Sequence, residues 1–74
     1  MTTALVIPLD LAHLRRCNET GDVQGVLTFA ERLLGTPWRS EAVAIFYDRF
    51  WEALEDESLG DQAGALDMQI GGAP

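Results

Sequence analysis

"EAVAIFYDRFWEALEDE" (residues 41–57) places four of the chain's six aromatic side chains within six positions and then runs into acids. Whether that stripe is core or surface decides the fold. With Val43 at 0° and about 100° per residue, Phe46, Tyr47, Phe50 and Leu54 fall within about 60° of it, as one buried face would. Trp51 lies at about 80°, near the edge of that face, and Ile45 at about 200°, among Glu41, Asp48 and Glu52. The stripe therefore reads as mostly core, with Ile45 and Trp51 left over. The preceding "TP" supplies Thr36 as N-cap and Pro37 at the first helical position, where a missing amide proton does no harm. A helix over 37–55 is expected.

Two more helices precede it. In "PLDLAHLRRCNETG", Asp10 reads as an N-cap and Leu9 and Leu14 as the two ends of a hydrophobic staple. Leu11, Leu14, Cys17 and Asn18 share one side, and Gly21 sits where a helix of 10–19 would end. "GDVQGVLTFAERLLG" opens on Asp22, and Val23, Val26, Leu27, Ala30, Leu33 and Leu34 recur at helical steps over 22–34. Phe29 stands at the edge of that face. Gly25, costly inside a helix, points to a close contact with a neighbouring helix.

The ends differ in character. "ALVIP" is apolar and partly β-branched, whereas "ALDMQIGG" alternates at 66–70, the period of a strand. The sequence thus describes a mainly α, three-helix domain over 1–57 and an acidic, Gly-rich segment over 58–74. The terminal segments read as a short two-stranded β element, paired with each other or equally with another chain, or, for the second segment, as a loose tail.

Seventy-four residues is the size at which one hydrophobic core is barely sufficient, so a second copy is an expected partner. The single cysteine excludes an internal disulfide and suits a reduced, cytoplasmic protein. "MTTALVIPLD" lacks the basic start of a signal peptide, and its apolar run is too short to span a membrane. Net charge is −7, and residues 50–74 carry six acids and no basic residue. Binding to nucleic acid through its phosphates requires clustered positive charge and is excluded on sign. A helix-turn-helix reading fails likewise, because the third helix would offer Glu41, Asp48, Glu52 and Glu55 to phosphates.

No chemistry-bearing constellation stands out, and no enzyme activity, cofactor or metal is expected. His13 and Cys17 share one side of the first helix, but a structural zinc needs four ligands and the chain has no second His or Cys. As a nucleophile and base they lack an orienting third group. Glu57, Ser58 and Leu59 resemble the Asp-Ser-Leu motif of acyl carrier proteins, which are also small, acidic and helical. The first residue departs from that motif. Only sixteen residues, rich in glycine, follow Ser58, where that family has a long helix.

Two surfaces remain unexplained by packing. One is apolar: Ile45, Trp51 and Trp38, where aromatic anchors would concentrate interface energy. The other is acidic: Glu52, together with Glu55, Asp56 and Glu57 at a helix end whose dipole is already negative. The expected function is that of a small acidic protein-binding protein: an adaptor, a regulatory subunit or a stoichiometric inhibitor of the kind phages and mobile elements make. The alternative is an acidic decoy that imitates nucleic-acid phosphates and fills a basic groove. A third use of the acids is solubility alone.

Overall fold

The computed structural model describes residues 7–71, which form five helices and no strand. They are α1 (Leu9–Thr20), α2 (Val23–Leu33), α3 (Arg39–Asp48), α4 (Phe50–Glu55) and α5 (Gly60–Gly71). The mainly α reading holds, and the β element does not. The expected strand at 66–70 lies inside α5, while residues 1–6 of the apolar start lie outside the described residues. Three alternating residues were too few to set a period. Leu59, Ala63 and Leu66 are buried and Ile70 is half-buried, a spacing that only a helix places on one side. The segment after Glu57 is therefore part of the packed body rather than a tail.

α1 and α2 form an antiparallel hairpin. Leu11 and Leu14 of α1 face Val26, Leu27, Ala30 and Leu33 of α2, all buried. Gly21 closes α1 in the left-handed region, at φ 75. Its N–H donates to the Asn18 carbonyl, and that of Asp22 to the Cys17 carbonyl at 2.9 Å, which satisfies two carbonyls at the end of α1. Asp22 then caps α2, its Oδ1 accepting from the Gly25 N–H at 3.1 Å.

The start of α1 differs from expectation. Pro8, not Asp10, is its N-cap, and Leu9 is already helical and 71% exposed, so the staple with Leu14 does not form. Asp10 sits in the first turn, where the dipole favours an acid, and pairs with Arg32 of α2 at 3.4 Å.

Gly25 marks the close contact expected of it. A Cβ there would lie 2.7 Å from Oδ2 of Asp22 and nearer still to Sγ of Cys17. Gly64, inside α5, has nothing within 4 Å of the same position. Opposite effects on stability are expected in urea denaturation. Gly64→Ala should stabilise by about 0.5–1 kcal/mol through helix propensity. Gly25→Ala should destabilise by about 1–3 kcal/mol through overpacking. Stabilisation by both would show that α1 and α2 do not meet closely at Gly25.

The expected third helix is two helices. Thr36 does what a cap does, its Oγ1 accepting from the Trp38 N–H at 3.2 Å, but the regular helix begins only at Arg39. At Arg49 the backbone turns through φ −110, ψ 5, and its N–H bonds back three residues to the Phe46 carbonyl. No glycine or proline causes this break. The Arg49 guanidinium instead ties it to the end of α1. It donates to the Asn18 carbonyl (2.6 Å) and side-chain oxygen (2.9 Å) and pairs with Glu52 at 3.0 Å.

The core face of this region is rotated by about one residue from the one centred on Val43. Ala42, Ile45 and Phe46 are buried, with Ala53 beyond the break, whereas Val43 and Phe50 are half-buried and Tyr47 and Leu54 are exposed. Ile45 is therefore a core residue, 9% exposed, not a surface one. Alanines explain the shift. Ala42, Ala53 and Ala63 are fully buried, and small side chains let helix backbones approach closely. A reading weighted towards aromatic residues passes over them.

Candidate protein-docking surface

Phe50, Trp51 and Leu54 are spaced i, i+1, i+4 on α4, and Tyr47, near the end of α3, meets Phe50 across the turn at Arg49. They form a seam beside the buried one. Phe46 anchors it from below, with ring centroids 5.4 Å from Phe50 and 5.0 Å from Tyr47. Phe50 meets Tyr47 edge-on at 5.6 Å and Trp51 at 6.0 Å. Exposure rises outward along this stack, from none at Phe46 to 41% at Tyr47 and 73% at Trp51. The aromatic stripe is thus rooted in the core and ends in a largely uncovered indole.

Acids border the ridge. Helical spacing within α4 places Glu52 and Glu55 on the side of Trp51 away from the core, Asp48 ends α3 just before the turn, and all three are exposed. On the other side Asp67 of α5 accepts the Tyr47 hydroxyl proton at 2.6 Å. That hydrogen bond, then burial and the carboxylate's charge, hold the Tyr47 hydroxyl above its ordinary pKa of 10.0. A raised folded pKa gives stability that is present below about pH 10 and lost as pH rises through the folded value. Tyr47 is the only tyrosine, so an ultraviolet absorbance titration reads it alone. The midpoint is expected above 10, returning towards it in Asp67→Ala. An unshifted wild-type midpoint would show that the contact with α5 is not kept in solution.

The other expected surface residues separate. Trp38 is half-buried and packs against the core, while Glu52, Glu55, Asp56 and Glu57 are exposed. Asp56 also has a local role. Its Oδ1 accepts from the Ser58 N–H at 2.9 Å and the Ser58 hydroxyl at 2.7 Å, and those bonds hold its carboxyl below the ordinary range. The turn they fix leads into α5. Asp56 and Glu57 therefore precede a helix N-terminus, where negative charge is favoured, as well as following α4. Glu55 and Asp56, the C-cap of α4, keep the unfavourable position read from sequence.

Cys17 and His13 point to packing rather than chemistry. The Cys17 Sγ lies 3.7 Å from Oδ2 of Asp22, and burial, then that carboxylate's charge and hydrogen bond, push the thiol up and disfavour the nucleophilic thiolate. His13 is exposed and meets Phe29 edge-on at 5.1 Å. Among the described residues, no three His, Cys, Asp or Glu side chains converge as a metal ion would need. An open depression of about 540 Å³ on α1, lined by Ile7, Ala12, His13, Arg15, Arg16 and Glu19, consists of exposed residues only. No described helix is long and apolar enough to cross a membrane.

Tyr47 and Leu54 were the surface residues that the sequence did not reveal, because about 100° steps from Val43 merge two neighbouring seams into one. Compared with family models, curated proteins and solved structures, the chain matches none of them.

Proposed function

We propose that this chain is a small, non-enzymatic protein-binding protein of the cytoplasm that works by laying the Tyr47–Leu54 ridge on a surface of another protein. The observation that carries this reading is Trp51. Its indole is 73% exposed yet sits on an aromatic stack rooted in Phe46. Tryptophan and tyrosine are residues in which interface energy concentrates, and here both stand on one aromatic stack. An adaptor, a regulatory subunit or a stoichiometric inhibitor would use such a surface. Pull-down from the source cells with mass spectrometry, wild type against Trp51→Ala, tests it. A partner retained equally by both proteins would remove the ridge as the working surface.

The second reading is the acidic decoy. It is favoured by the exposed run Glu52, Glu55, Asp56 and Glu57 and by the lack of any basic residue from 50 to 74. Self-association, expected from the chain's size, is read by sedimentation.

A further inference from the structure

We infer that the occupant of the ridge is a basic amphipathic helix of another protein. This rests on the docking reading above. Tyr47 at the end of α3 and Phe50, Trp51 and Leu54 on α4 make a short aromatic and apolar ridge, and an amphipathic helix is a partner that lays one apolar strip on such a ridge. The sign of the partner follows from the border. Asp48, Glu52 and Glu55 flank the seam on one side and Asp67 on the other. Arg49, between Asp48 and Phe50, is committed to Asn18 and Glu52, and Arg39 donates to the Ile70 carbonyl. A helix with an apolar strip between lysines or arginines would set its charges against these carboxylates at separations inside the screening length, about 8 Å at physiological salt.

A second copy fits less well. Pairing ridge to ridge sets Asp48, Glu52 and Glu55 near the same residues of the other chain, and like charges in juxtaposition oppose association. The chain's own basic face, the depression on α1, is a weak complement. Arg15 there is already bonded to Glu41 at 2.6 and 2.8 Å, and Glu19 lies beside it.

The test titrates the full chain into a labelled amphipathic peptide with leucines at every third and fourth position and lysines flanking them, and into its Lys→Gln twin. Anisotropy reads both. The lysine peptide is expected to bind at least about tenfold more tightly at low salt, with the gap closing at high salt and in Glu52→Gln/Glu55→Gln. Trp51→Ala should weaken binding of both peptides by at least roughly thirtyfold. Equal affinity for the two peptides, lost in Trp51→Ala, would overturn the basic partner and leave the docking ridge standing. Lysine-dependent binding that ignores Trp51→Ala would overturn the ridge itself and favour the decoy. Absence of binding to either peptide, or a stable dimer in sedimentation that excludes them, would overturn the inference.

Discussion

Phe46→Ala is expected to lose about 3–5 kcal/mol of stability, as truncation of a fully buried aromatic does. Native domains hold about 0.05–0.15 kcal/mol per residue, so a chain of this size has on the order of 4–11 kcal/mol in total. Much of the molecule therefore hangs on this ring. Phe46 is 0% exposed and touches both Tyr47 and Phe50, so its loss opens a cavity beneath the aromatic stack as well as in the helical core. Ile45→Ala should cost about 2–4 kcal/mol. Phe50→Ala, at a half-buried position, should cost less than either. Urea denaturation followed by circular dichroism ranks the three, and Phe46→Leu, which keeps most of the volume, provides a folded reference if the alanine variant does not fold. A silent Ile45→Ala beside a crippling Phe50→Ala would restore the face centred on Val43 and overturn the packing described here.

That ranking also locates what the sequence made legible. The α1–α2 hairpin could be read nearly residue by residue, because Gly21 and Asp22 are chemically specific punctuation and the α2 stripe is continuous. Leu11, Leu14, Val26, Leu27, Ala30 and Leu33 are all buried as their spacing requires. Past Thr36 the local signals weaken. The break at Arg49 depends on a guanidinium reaching Asn18, thirty-one residues away, which no local pattern encodes. α5 was obscured for a different reason. Glycines at 60, 64 and 71 lower helix propensity, and the alternation of Leu66, Met68 and Ile70 imitates a strand, yet Leu59, Ala63 and Leu66 find the core only as a helix. Tertiary packing overrode propensity there. The candidate site was half legible. Trp51 was picked out by its edge position, whereas Ile45 fell on the wrong side of a face rotated by one residue.

Trp51→Ala should separate stability from binding. An exposed side chain outside caps and networks usually changes stability by no more than about 0.5 kcal/mol, and Trp51 makes only its edge-on contact with Phe50 and neighbouring helix packing. Truncating an aromatic hot spot costs at least about 2 kcal/mol of binding, or roughly thirtyfold in Kd. The ridge should therefore lose its partner while the fold persists. The contrasting variant replaces Glu55, Asp56 and Glu57 by Gln, Asn and Gln. Asn at 56 keeps the Oδ1 acceptor that Ser58 uses, so the turn into α5 survives while the charge is removed. Relief of Glu55 at the end of α4 and loss of Asp56 and Glu57 before α5 act in opposite directions, which leaves stability nearly unchanged. If the acids imitate phosphates, this triple variant abolishes binding and Trp51→Ala does little, with steep salt dependence throughout. If the ridge is the anchor, the triple variant weakens binding modestly, since Asp48, Glu52 and Asp67 remain, and only Trp51→Ala removes it. Calorimetry or anisotropy on the captured partner, at low and high salt, decides between them. Salt-sensitive binding that survives Trp51→Ala and disappears in the triple variant would sink the ridge as the working surface.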